Sequence, residues 1–238
     1  MEIWSTKKKI LVILAHPDDP EFFCGGTIAN WVRDGHEVEY CLLTRGEKGI
    51  NDLFNDSKNI ISIREKEQLA AGGILGVKHI QYLDYEDGYL APSMEARRDV
   101  VRAIREAKPN IVVCCDPTNY YLNDRYINHP DHRAAGQIVI DAVFPASQNE
   151  LYFPQLIDQN ILPHKVEEVW ISLPRESNII IDVSDSWNMK VAALEKHVSQ
   201  IGEIKEFHDR MARRFAYTDE NGVPHYEEKF NRIVFSKG

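Results

Sequence analysis

The chain has 238 residues, 43% of them hydrophobic and 27% charged, with a formal net charge of −9. That length is one large domain or two small ones with a substantial core, and the acidic balance repels nucleic acid and anionic membrane. No apolar run reaches the length of a membrane span, and Ile10 to Ala15 is too short for the apolar region of a signal peptide. Cys24, Cys41, Cys114 and Cys115 do not make a disulfide framework for a chain of this size. The expectation is a cytoplasmic protein with neither a nucleic-acid nor a membrane partner.

Ile10 to Ala15 is continuous, aliphatic and bounded by a Pro-containing polar loop, which predicts a buried strand. Gly25-Gly26 then opens a helix over Thr27 to Arg33, closed by Asp34-Gly35. Val38 to Thr44 is the second strand, Ile60 to Leu75 a charge-dense helix ending at Gly76, and His79 to Leu83 the third strand. A helix from Glu95 to Ala107 stops before Pro109, and Ile111 to Cys115 is the fourth strand. Asp116 to Pro130, rich in Asn, Tyr, Asp and Pro, is read as loop, and His132 to Val143 as helix. Strands are expected at Val166 to Leu173 and Ile179 to Val183, then helices at Trp187 to Ile201 and Glu206 to Phe215. Around the turn Asp219-Glu220-Asn221-Gly222 the pattern fits either a hairpin or irregular chain.

This alternation predicts an α/β fold: a Rossmann-like, mainly parallel sheet with helices on both faces, in a single domain. Residues 1–145 would form the Rossmann-like part carrying the site, and 146–238 would complete the same domain. Ligands in such sheets bind beyond the carboxyl ends of the strands, near a switch in strand order. Two histidine- and aspartate-rich motifs fall there, Ala15-His16-Pro17-Asp18-Asp19-Pro20-Glu21 after the first strand and His129-Pro130-Asp131-His132 in the loop after the fourth.

His16 and Asp19 lie three apart on one tight loop stiffened by Pro17, so both can reach a single ion. His129 and His132 have the same separation, and one of them can complete the trio. Two nitrogens and one carboxylate suit Zn²⁺, with Fe²⁺, Co²⁺ or Mn²⁺ as alternatives. Three protein ligands leave a position open, the mark of a catalytic rather than a structural site. Asp18, adjacent to Asp19, is then free to act as general base on a water whose pKa the metal lowers. The remaining histidine of the downstream pair would stabilise an oxyanion or protonate a leaving amine, oriented by Asp131. These roles describe a metal-dependent hydrolase.

Blander readings hold elsewhere. Glu21 is read as anchoring its loop to backbone or the following helix, and His197 as a packing or capping residue that could instead line the pocket. Tyr120, Tyr121 and Tyr126 could stack on a sugar ring or pack the loop down, and His164 and His225 are read as surface residues. Gly25-Gly26 could cradle phosphate at a helix start. The full G-x-G-x-x-G fingerprint is missing, which argues against a nucleotide-binding module.

Ala15-His16-Pro17-Asp18-Asp19-Pro20-Glu21-Phe22 with Gly25-Gly26-Thr27, then Thr44-Arg45-Gly46-Glu47, then His129-Pro130-Asp131-His132, resembles the LmbE-like (PIG-L) N-acetylglucosaminyl deacetylases in motif and order. Arg64-Glu65-Lys66-Glu67, Leu75-Gly76-Val77 and Leu83-Asp84-Tyr85 are also similar to that family. Beyond residue 145 the resemblance rests on Lys190, Ala193-Leu194, His197, Ser199 and Gln200.

The resemblance implies zinc-dependent removal of acetyl from the 2-amino group of a glucosamine-type sugar. It implies His16, Asp19 and His132 as metal ligands, Asp18 as base, His129 as electrophilic or acid partner oriented by Asp131, and Arg45 as a contact to the sugar or its substituent. The partner is then a small amino-sugar substrate, and a homo-oligomer with the C-terminal third as interface is admitted. Alternatives are an amidase cleaving a thiol-sugar conjugate or another amide at the same site, a nucleotide-binding module, and a metal-binding regulator without turnover.

Overall fold

The computed structural model describes residues 4–49, 57–219 and 222–235. The strands are β1 (Lys9–Leu14), β2 (Glu37–Thr44), β3 (His79–Tyr85), β4 (Ile111–Cys115), β5 (Tyr121–Asn123), β6 (Tyr126–Ile127), β7 (Glu168–Ser172), β8 (Ile179–Asp182), β9 (Ala216–Thr218) and β10 (Pro224–Val234). The helices are α1 (Asp19–Arg33), α2 (Ser57–Leu75), α3 (Met94–Ala107), α4 (Pro130–Asp141), α5 (Pro154–Ile157), α6 (Trp187–Leu194), α7 (Val198–Ile201) and α8 (Ile204–Phe215). The main sheet runs β3-β2-β1-β4-β7-β10-β8, with β9 paired to β10. Strands β3, β2, β1, β4 and β7 are mutually parallel, and β10 is antiparallel to both β7 and β8. This is the expected mainly parallel α/β sheet in one domain, with strands from beyond residue 145 extending it.

The central strands β1 and β4 are apolar almost throughout because both of their faces are covered. Along β1, Leu11 and Ile13 point into a core shared with α3 and α4, while Ile10, Val12 and Leu14 point into one shared with α1 and α2. Strand β4 divides the same way, Val112 and Cys114 to one side and Ile111, Val113 and Cys115 to the other. All four cysteines are free and buried. No described helix is long and apolar enough to cross a membrane.

Three elements differ from the expectation. Helix α1 starts at Asp19, eight residues before Thr27, because Pro20 suits a first helical turn and Asp19 and Glu21 suit its positive end. Gly25-Gly26 sits beside a break in that helix at Cys24, not at its start. The predicted loop before His129 contains a small antiparallel hairpin, β5–β6. The single helix expected over Trp187 to Ile201 divides into α6 and α7 at His197, which is buried against Glu21. The tail is a hairpin: β9 pairs with β10 across a turn whose Glu220 and Asn221 lie outside the described residues.

Helix α4 is pressed onto the carboxyl end of β4, which brings its first turn to the end of β1. Gly136 permits this, since a Cβ there would overlap the Cys115 carbonyl oxygen and come within 3.0 Å of the Pro117 nitrogen. Gly136→Ala is expected to cost about 1–3 kcal/mol of stability through overpacking against backbone. An unchanged urea midpoint would show that α4 has slack the packing does not suggest.

Candidate metal and catalytic site

The site is built where β1 and β4 end and their chains part. Asp18 precedes α1 with a left-handed backbone (φ 86°), a conformation of appreciable cost for a non-glycine residue. Its N–H donates to Gln68 Oε1 at 2.8 Å, its carbonyl accepts from the Phe22 N–H at 3.0 Å, and its Oδ2 accepts from Arg64 Nη2 at 2.9 Å. Arg64 also donates to the carbonyls of Pro17 and Gly46, at 2.6 and 2.9 Å. Burial pushes the Asp18 carboxyl up to about 6, with Arg64 opposing that rise and Asp19 adding to it.

Asp19, on the first turn of α1, spans two imidazoles. Its Oδ2 lies 3.4 Å from His16 Nδ1 and its Oδ1 lies 3.1 Å from His132 Nε2. The opposite nitrogens have partners of their own. His16 Nε2 faces Asp87 Oδ1 at 3.1 Å and Asp131 Oδ2 at 3.3 Å, and His132 Nδ1 faces Asn128 Oδ1 at 3.0 Å. With a cation bound, those carboxylate and amide oxygens would accept hydrogen bonds from the outer nitrogens, and the neutral rings would turn the His16 Nδ1 and His132 Nε2 lone pairs toward the cation. Two imidazole nitrogens and a carboxylate thus converge on one point.

The surrounding charge repeats this point. Asp18, Asp19, Asp87 and Asp131 crowd around His16, with Arg64 pairing Asp18. Burial opposes a charged His16, but Asp19, Asp131 and Asp87 outweigh it and hold its pKa well above the ordinary value. Burial likewise opposes ionised Asp19, but His132 and His16 outweigh it and hold that carboxyl far below its usual range. One Asp131 oxygen, Oδ1, is buried without a hydrogen-bond partner. A cluster of this composition calls for a cation, and its nitrogen and oxygen donors fit a divalent metal.

His129 is the exposed member. The ligand atoms of His16, His129 and His132 lie within 4.8 Å of one another, so a three-nitrogen set is geometrically open. Its Nδ1, however, accepts the Asp131 N–H at 3.2 Å. Burial, together with His16 and His132, lowers its pKa, so it stands as a neutral ring whose proton is on Nε2. The expected orienting contact is therefore made differently: the Asp131 backbone, not its carboxylate, meets His129. The carboxylate instead accepts from the Gly88 N–H at 2.7 Å and faces His16.

Arg45 is not free beside the site. It pairs with Glu65 and Asp84 and stands over the Tyr82 ring at 4.7 Å. Glu21 is fully buried and anchors through side chains rather than backbone, accepting from Tyr40 and Gln68 and facing His197 Nε2 at 3.2 Å. His197 is therefore a buried residue packed against Glu21. Tyr121 and Tyr126 are exposed on the β5–β6 hairpin, and Tyr120 lies under Arg133.

Asp87, Arg64, Gln68 and Asn128 carried no assigned role in the sequence. Arg64 and Gln68 were detectable: with Ile60, Ala71 and Leu75 they form one helical stripe, and all five are buried. Polar residues on the apolar stripe of a charge-dense helix are the signal. Asp87 sits before Gly88 (φ 78°), where Asp-Gly reads as an ordinary turn.

The chain matches the profile of the PIG-L family, GlcNAc-PI de-N-acetylase, over residues 11–143. It is 36% identical over 202 residues to the diacetylchitobiose deacetylase of Thermococcus kodakarensis, covering 85% of this chain and 73% of that one. It is 30% identical to a probable N-acetyl-alpha-D-glucosaminyl L-malate deacetylase 2 of Bacillus anthracis, covering 82% of each. The solved N,N'-diacetylchitobiose deacetylase from Pyrococcus horikoshii, in complex with its inhibitor MPG, superposes with a TM-score of 0.84 at 31% identity, over 95% of this chain and 84% of that one. Profile, sequence identity and fold agree, and the chain belongs to the PIG-L family.

Proposed function

We propose that this protein is a zinc-dependent hydrolase that removes the N-acetyl group from an N-acetylglucosamine-type sugar or conjugate. The observation that carries the reading is the Asp19 carboxylate set between His16 and His132, with Asp18 alongside. The deacetylase relatives support the same chemistry. His16, Asp19 and His132 would hold the metal, which when bound lowers the pKa of a water and polarises a carbonyl.

The remaining work falls to the chain's own residues. Asp18, with a pKa raised toward neutrality by burial, takes a proton from the attacking water. His129 donates from Nε2 to the acetamide oxygen as negative charge gathers on it. The proton held by Asp18 then passes to the departing amine, so acetate and a free amino sugar are the products. Arg64 fixes the Asp18 carboxylate, and Asn128, Asp87 and Asp131 fix the imidazole tautomers. A role for Arg45 toward the sugar requires one of its pairs, with Glu65 or Asp84, to open. The free, buried cysteines fit a reducing compartment, and we assign the protein to the cytoplasm.

Acetate release by the zinc-loaded protein across a panel of N-acetylglucosamine derivatives, with a chelated control, tests the proposal. Chelator-sensitive release from at least one derivative is expected. No release from any, with zinc bound, would refute deacetylation and move the reading to an amidase acting on thiol-sugar conjugates.

A further inference from the structure

Helix α1 is two helices meeting at one residue. Cys24 (φ −146°, ψ 19°) separates a short segment carrying Asp19 and Glu21 from the longer one that runs to Arg33. Such a joint creates helix ends in mid-element, with carbonyls unpaired behind it and N–H groups unpaired ahead. Both are answered from the C-terminal third. Lys190 Nζ, on α6, donates to the Phe22 carbonyl at 3.0 Å. Glu228, on β10, accepts from the Gly26 N–H at 3.0 Å and the Thr27 N–H at 2.8 Å. Lys190 and Glu228 pair with each other at 2.6 Å, both wholly buried. The signs match the helix ends they meet, cation at a C-terminus and anion at an N-terminus.

The two glycines that suggest a phosphate cradle in the sequence serve this packing. A Cβ on Gly26 would lie 2.6 Å from Val183 Cβ, and one on Gly25 would lie 3.2 Å from Lys190 Cγ. The anion at this helix start is Glu228. A fully buried ion pair is a poor device for stability alone, because desolvating both charges offsets their attraction. Its place at the joint, one turn from Asp19, gives it a geometric task.

We propose that Lys190 and Glu228 are positioning residues for the metal-binding turn. They set the angle at which the first segment of α1 leaves the second, and so hold the Asp19 carboxylate between His16 and His132. The family profile ends at residue 143, so this gives a defined task to two residues beyond it. The inference rests on the metal site of the proposed function.

Zinc affinity, measured by competition with a chromophoric chelator, and the visible spectrum of the Co²⁺-loaded protein test it in Glu228→Gln and in K190M/E228Q. Both variants are expected to bind zinc about tenfold more weakly or worse, the scale of lost outer-shell support, with a shifted Co²⁺ band. Val100→Ala, in the core on the opposite face of the sheet, should lose thermal stability and keep parental affinity and spectrum. Parental affinity and spectrum in K190M/E228Q would overturn the inference and leave the proposed function standing. If the double variant does not fold, Glu228→Gln, which keeps the side-chain volume, is read by the same criterion. A parent protein that binds no zinc would overturn both.

Discussion

Asp18→Asn is expected to retain zinc and to lose about 10²- to 10⁴-fold in kcat/KM, the range a positioned proton acceptor contributes. The substitution is unusually clean at this position. Asn tolerates the left-handed backbone that Asp18 adopts (φ 86°), so the turn need not rebuild. Gln68 and the Phe22 N–H hold the backbone in either case, and the amide oxygen can still accept from Arg64. What disappears is the basic oxygen. Kinetics beside a zinc determination on the same sample checks this, and near-parental turnover in the metallated variant would remove Asp18 as the base.

His132→Ala should fail at the earlier step. Its Nε2 points at Asp19 while Asn128 holds its other nitrogen, so alanine deletes a prepared donor and leaves Asp19 with a single imidazole neighbour. The expected loss of zinc affinity exceeds the roughly 10- to 100-fold that removal of an outer-shell partner costs. Asn128→Ala should fall within that smaller range, which gives an internal scale. Competition with a chelator measures both. Full metallation of His132→Ala at stoichiometric zinc would pass the second nitrogen to His129, whose ligand atom lies within the same 4.8 Å group.

The residues that announce themselves in the sequence are those whose chemistry is dense and local. His16, Asp18 and Asp19 share four positions, His129, Asp131 and His132 another four, and aliphatic β1 and β4 place both at neighbouring strand ends. The sheet is legible for a similar reason, since strands buried on both faces must be apolar at every position. Harder to read is whatever depends on one residue meeting a distant one. The Asp131 carboxylate is taken by Gly88 and His16, a contact no local spacing encodes. The break at Cys24 is invisible because its end groups are satisfied by Lys190 and Glu228. His197 ends α6 by reaching Glu21, 176 residues away, where helical periodicity alone predicts continuation.

Strand β10 lies between β7 and β8, although it is the last strand in the described chain. The strands of the parallel half, β1 to β4 and β7, all precede β10 in the chain and leave the ribosome before it. The closing strand must wait for nearly the whole polypeptide and then enter between partners already made. Glu228 arrives with it, 202 residues after the Gly26 N–H it receives. The turn bearing Asp19 is thus among the first parts synthesised and the last to be set. If Glu228 positions the proposed metal site, a nascent chain would display His16, Asp19 and His132 early, yet its hold on a metal would tighten only when β10 docks, tying metal capture to completion of the fold.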